Sequence, residues 1–186
     1  MRKIVNLLLL SLLLSAHLVA QNTESNEANT LFFEGKYSAA QTLYQQIITN
    51  NTPDENAHYH NARCSKELFA SDAIFLYEQF LLSFPFTVFK NAVNEDLALL
   101  YYRSFDYPNA IKYFLQLEDL EEHSYLIFKL AYANFSIDSL VDAQYYFSKL
   151  LNTESKYAAT AQYYLAYIAY ENGLYKTALK IGRAHV

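Results

Sequence analysis

Gly35-Lys36-Tyr37-Ser38-Ala39-Ala40-Gln41-Thr42-Leu43-Tyr44 returns near the other end of the chain as Gly173-Leu174-Tyr175-Lys176-Thr177-Ala178. Both read Gly-x-Tyr-x-x-Ala. The Ala of that frame recurs between them at Ala73, Ala110 and Ala143, so the steps from Ala40 to Ala178 are 33, 37, 33 and 35 residues. Four residues after each of the first four alanines stand Tyr44, Tyr77, Phe114 and Phe147, and seven after stand Ile47, Phe80, Leu117 and Leu150. Twelve residues before each Ala stand Ala28, Asn61, Ala98, Ala131 and Ala166. Offsets of four and seven fall on one face of a helix. Each unit is therefore expected to be a helix pair, with the small residues allowing close approach and the ring filling the space one turn on. A unit of this size cannot bury its apolar face alone, so its neighbours must stack on it.

Composition agrees with that reading. The chain has 186 residues, 53% apolar and 17% aromatic, with only three Gly and three Pro. Gly plus Pro is far below the average of about 12%, which excludes collagen-like and Pro/Gly-rich disordered chains and argues against sheets that turn every few residues. Eighteen Tyr and thirteen Phe, with no Trp, supply rings whose hydroxyl tips can reach water while their faces pack. The net charge of −5 offers no basic field for a nucleic-acid backbone. A single cysteine, Cys64, cannot form an internal disulfide.

The pattern resembles the tetratricopeptide repeat, a helix-turn-helix unit of about 34 residues. The resemblance covers residues 22–180 and implies an all-α, right-handed solenoid of antiparallel helix pairs with about four and a half repeats, spanning 22–53, 54–86, 87–122, 123–155 and 156–180. Gly35 and Gly173 fall in turns between paired helices. Pro53 and Pro85 fall between repeats, and Pro108 falls in the first turn of a second helix, where a missing N–H costs nothing. The second repeat departs from the pattern, with Asn61 and Ala70 where a small residue and an aromatic are usual.

The two ends read differently from the repeats. Met1-Arg2-Lys3 is a short basic start, Ile4 to Leu14 is an apolar run, and Leu18-Val19-Ala20 precedes a polar stretch. Residues 1–20 are expected to be a secretory signal peptide cleaved after Ala20. Gln21 at the new N-terminus resembles exported proteins of the Bacteroidetes. At the other end, residues 181–186 (Ile-Gly-Arg-Ala-His-Val) resemble read-through of a sequencing adapter, and the repeat frame fails there: Gly182 and His185 stand where an aromatic and an apolar residue are required. Without Arg2, Lys3 and Arg183, 11 basic residues face 19 acidic ones, a net charge of −8.

Signatures of chemistry are sparse. There is no phosphate-binding Gly-rich loop, nucleophile elbow or His-Glu-x-x-His helix. His60 and Cys64 share a helix face at i, i+4, but His58 points away from it and Cys64 is expected to pack as a small hydrophobe, so no metal site is expected. Glu118, Asp119, Glu121 and Glu122 read as a solvated acidic connection. No catalytic residue and no cofactor is expected.

What remains is aromatic. In the resembled family the first helices line the concave face, and the alignment places Tyr102, Arg103, Phe128, Tyr132, Phe135, Tyr163, Tyr167 and Tyr170 there. They recur at spacings of three and four, on a stripe distinct from the one bearing Ala98, Ala131 or Ala166. Such a groove would take a partner peptide or helix on rigid ring anchors. The alternative is that packing between adjacent first helices, or further repeats, covers the rings. The carboxylate clamp of chaperone-binding relatives is not expected, because its places would hold His58, Ala62, Glu95 and Leu99. The implied role is a non-catalytic interaction scaffold of the periplasm or outer membrane, with a protein or peptide partner, no nucleic acid and no membrane span after cleavage. The alternative role is the extracytoplasmic sensor region of a membrane-anchored signalling protein.

Overall fold

The computed structural model describes residues 24–50, 54–151 and 155–183. The expected signal peptide, Pro53 and residues 184–186 lie outside the described residues. Among the described residues ten helices follow one another: α1 (24–33), α2 (Tyr37–Asn50), α3 (Glu55–Glu67), α4 (Ala73–Ser83), α5 (Lys90–Arg103), α6 (Tyr107–Phe114), α7 (Ser124–Ser136), α8 (Leu140–Leu151), α9 (Ala158–Glu171) and α10 (Tyr175–Arg183). A one-turn 3-10 helix, Leu120–Glu122, connects α6 to α7. No strand occurs among the described residues. The chain divides into two compact units after Phe89. In the first, a core of Ala28, Phe32, Ala40, Tyr44, Ile47, Ala57 and Cys64 joins α1 to α2 and α3, and α3 packs on α4. In the second, each helix from α5 to α10 packs on the next.

The second-helix pattern is the core. Ala40, Ala73, Ala110 and Ala143 are 0–2% exposed, and the rings four residues on, Tyr44, Tyr77, Phe114 and Phe147, are all 0% exposed. Ile47, Phe80, Leu117 and Leu150 complete the same buried stripe. Helix ends are fixed locally. Asp54 Oδ1 accepts the Ala57 N–H at 2.9 Å to start α3, and Asp106 accepts the Asn109 N–H ahead of α6, whose first turn holds Pro108. Pro85 follows α4 in the turn that ends it.

Each paired-helix turn contains one residue in the left-handed region: Gly35 (φ 76°), Phe69 (55°), Phe105 (62°), Asp138 (62°) and Gly173 (72°). Four of them stand five residues before the frame Ala; Phe69 stands four before Ala73. The connection into α4 is thus one residue shorter, closing with an Ala73 N–H to Ala70 carbonyl bond at 3.4 Å. This corrects the first-helix frame in the second repeat. The small residue seven before the left-handed position is Ala28, Ala98 or Ala131 elsewhere, and here it is Ala62, fully buried, rather than Asn61. One residue of shift rotates the assignment of faces by about 100°, so Tyr59 and Arg63 take the places that the unshifted frame assigns to His58 and Ala62.

The fifth pair differs from the others. α10 buries no residue, Leu174, Tyr175 and Leu179 are each more than half exposed, and Ala178 is only half-buried. Gly182 lies inside α10.

A large ring in the left-handed region is strained by roughly 1–2 kcal/mol relative to Gly, and Phe69 is 84% exposed, so it returns little by packing. Phe69→Gly is therefore expected to raise unfolding free energy by about 0.5–1 kcal/mol after the larger chain entropy of Gly is subtracted. Urea unfolding followed by circular dichroism checks this, and a loss of stability would show that the ring has a packing role.

Candidate functional site

In the second unit the first helices α5, α7 and α9 bring the aromatic residues of the stripe together. Tyr102 is half-buried at the end of α5, and Arg103 beside it is exposed. Phe128, Tyr132 and Phe135 on α7 are half-buried. Tyr163, Tyr167 and Tyr170 on α9 are 64%, 42% and 58% exposed. The rings form a chain across the helices: Tyr102 to Tyr132 at 6.2 Å, Tyr132 to Phe135 at 6.4 Å, and Phe135 to Tyr167 at 5.7 Å between centroids. Phe128 turns the other way, stacking on Tyr157 at 5.0 Å and meeting Phe147 edge-on at 5.9 Å. It supports the face from below, by contact with α8.

Packing and exposure divide the stripe between different residues. Packing between neighbouring first helices takes up Phe128 and part of Tyr132 and Phe135, while the three α9 tyrosines stay open. The organising ring is one that sequence reasoning missed. Tyr164 stacks on Phe147 at 4.9 Å with planes 5° apart, and it also meets Tyr132 (5.7 Å), Phe135 (5.0 Å) and Phe128 (6.4 Å). The same place in the two preceding first helices holds Asp96 and Lys129, so no repeated signal marks it.

Burial, with the neighbouring Tyr107, Tyr132 and Tyr164, pushes the Tyr102 pKa up to about 12. The Tyr125 hydroxyl donates to Glu95, and burial first, then that carboxylate, raises the Tyr125 pKa. One cation sits among the rings: the Lys129 ammonium lies 4.3 Å from the Tyr102 centroid. In the first unit the guanidinium of Arg63 lies 4.6 Å from the Phe32 centroid and 5.5 Å from that of Tyr59.

The other candidates are structural. Cys64 is fully buried and its thiol is pushed up to about 12 by burial, so it packs as a small apolar group. The His60 ring stacks on Phe32 at 4.9 Å and lies near Tyr44 and Tyr59, while the His58 ring packs against Phe84. The acidic connection is tied down by its neighbours. Asn91 Nδ2 donates to Asp119 Oδ1 at 2.9 Å, the Glu118 N–H donates to Asn91 Oδ1 at 3.0 Å, His123 approaches Asp119 at 3.3 Å, and Lys149 pairs with Glu121. Among the described residues no three His, Cys, Asp or Glu side chains converge as a metal-holding group. No described helix is long and apolar enough to cross a membrane.

Solved structures share this arrangement of helix pairs. MamA AMB-1 superposes with a TM-score of 0.70 at 20% identity over 88% of each chain. YrrB, described as a TPR protein with an unusual peptide-binding site, superposes with a TM-score of 0.68 at 17% identity, over 85% of this chain and 80% of its own. The fold is that of the tetratricopeptide repeat. PilF of Pseudomonas aeruginosa is also similar, with a TM-score of 0.55 at 17% identity over 87% of this chain and 73% of its own. No protein-family model matches the chain, and no curated protein sequence matches it.

Burial first and then the charge of Arg63 lower the His60 pKa from 6.5 to about 4, so the imidazole is neutral in the fold. Below pH 6.5 the unfolded chain takes up a proton that the folded one refuses, and stability falls as pH drops toward 4. Between those limits the native protein is expected to lose on the order of 3 kcal/mol more than His60→Phe. Denaturant unfolding at stepped pH checks this, and parallel curves for the two proteins would contradict it.

Proposed function

We propose that the chain is a non-catalytic interaction scaffold of the cell envelope that takes a peptide or helix on the first-helix face of its second unit. The observation that carries this reading is the chain of rings from Tyr102 through Tyr132 and Phe135 to Tyr167, continued by the open Tyr163 and Tyr170. A soluble fold has little reason to leave three rigid amphipathic rings on one helix face uncovered. Such rings lose few rotatable bonds on binding and dominate interface energetics. YrrB, a similar fold described as having a peptide-binding site, supports the same use of the scaffold. Export by residues 1–20 and a place in the periplasm or at the outer membrane belong to the same proposal, with the acidic composition suiting a solvated scaffold rather than a nucleic-acid binder.

The two central tyrosines separate binding from folding. Tyr167→Ala is expected to weaken capture of the protein partner by about tenfold or more, with helix content unchanged and a stability loss below about 1 kcal/mol, because its ring is 42% exposed and its contact is with Phe135. Tyr132→Ala is expected to weaken capture similarly and also to cost about 1–2 kcal/mol of stability, because its ring contacts Tyr102, Tyr107, Phe135 and Tyr164. Pull-down from envelope extract, quantified alongside circular dichroism, reads both. Unchanged capture by Tyr167→Ala would remove the groove reading.

A further inference from the structure

The outward face of α4 is unlike that of the other second helices. Ala73, Tyr77 and Phe80 are buried on the core side of this helix. On the opposite side, two, six and nine residues after the frame Ala, stand Phe75, Gln79 and Leu82, which a helix places in one line. The same places hold Thr42, Gln46 and Thr49 in α2, Lys112 and Gln116 in and after α6, and Lys180 in α10. In α8 they hold Tyr145 and Lys149, and the ammonium lies 4.8 Å from the ring centroid. Apolar exposure continues past the end of α4. The buried Thr87 side chain accepts the Phe89 N–H at 3.0 Å, and the residues on either side of it, Phe86 and Val88, are turned out. Phe75, Leu82, Phe86 and Val88 are 60–98% exposed.

Area, charge and symmetry point to one occupant. At roughly 150–250 Å² for a large ring and somewhat less for Leu and Val, the four side chains offer about 500 Å² or more of open apolar surface. A standard interface covers about 800 Å² per partner, and in homodimers about 65% of it is apolar. The α4 face supplies that amount. Its one charged residue, Glu78, lies on the flank of the line and has a partner of its own in the fold. No Lys or Arg stands in α4 to meet a lipid headgroup, and the chain as a whole is acidic. A face without charge fits another of its kind, and a second copy of the chain always brings one. The line is also symmetric about its middle. In an antiparallel pairing of two α4 helices, Phe75 of each copy meets Leu82 of the other, and Gln79 meets its own counterpart, whose amide can both donate and accept.

We propose that two copies of the chain pair through their α4 faces, antiparallel about a two-fold axis at Gln79, with Phe75 and Leu82 at the centre of the contact and Phe86 and Val88 extending it. This goes beyond the scaffold reading and uses none of the rings of the first-helix groove.

Sedimentation equilibrium of the full chain tests the pairing. The weight-average mass is expected to rise from 21.5 kDa toward twice that value as concentration passes through the micromolar range. Phe75→Gln with Leu82→Gln should raise the dimer dissociation constant about a hundredfold or more, because each substitution is felt twice across the two-fold axis, while the circular dichroism signal of the helices is kept. Val141→Gln with Leu179→Gln, a similar loss of exposed apolar surface on α8 and α10, should leave the constant unchanged, as should Tyr167→Ala in the groove. Gln79→Cys should cross-link two copies under copper–phenanthroline oxidation, whereas Gln46→Cys, the same place in α2, should not; the native Cys64 is buried. A chain that stays monomeric, an association that the Phe75/Leu82 variant keeps, or equal cross-linking from Gln46→Cys and Gln79→Cys would overturn the pairing. A monomeric chain that floats with vesicles of phosphatidylethanolamine and phosphatidylglycerol, and no longer does so in the Phe75/Leu82 variant, would overturn it in favour of a lipid surface.

Discussion

Everything in this fold hangs on one close approach. In four successive second helices a buried Ala brings the backbone against its neighbours, and the ring one turn later fills the space that this approach leaves. A larger residue at the Ala would separate the helices, and a smaller one at the ring would open a cavity, because interiors are packed as densely as organic crystals. Tyr44, Tyr77, Phe114 and Phe147 each meet that constraint with the same geometry, and Leu150, Phe80 or Ile47 closes the next turn. The other features depend on it. The turn between paired helices must reverse the chain within a few residues, which forces one left-handed residue per repeat even where the side chain is Phe or Asp.

The second helices were legible in the sequence for this reason: the constraint acts on residues four and seven apart on one helix, so it survives any change in the connections. The first helices were legible only where the connection kept its length. Counting twelve back from Ala73 gives Asn61, but the connection into α4 is one residue shorter and the helix turns Ala62 inward. A frame carried through a turn inherits the turn's length, and neither Phe69 nor Ala70 announces the change. The open tyrosines of α9 could be named from the alignment with the resembled repeat family. Tyr164 and Lys129 could not, because they occupy one place in the repeat that holds a different chemistry in each unit.

The face of α5, α7 and α9 shows how one set of rings can serve both packing and recognition. Edge-on and stacked contacts at about 5–6 Å hold the inner rings in fixed orientations. Those fixed rings then present the outer ones with little freedom left to lose on binding. The burial of Phe128 against Tyr157 and Phe147 is thus as much a part of the face as the exposure of Tyr167. The cations follow the same logic. Resting Lys129 on the Tyr102 ring offsets part of the hydration that burial takes from the ammonium.

The close approach itself can be measured directly. Ala143→Leu places a branched side chain where the helices meet, and Ala159→Leu places the same side chain on the exposed surface of α9. Urea unfolding of the two variants is expected to show a loss of about 2–3 kcal/mol for Ala143→Leu and a change within about 0.5 kcal/mol for Ala159→Leu. If Ala143→Leu were as neutral as Ala159→Leu, the helices would not need the small residue, and close approach at the Ala would not be what holds the repeats together.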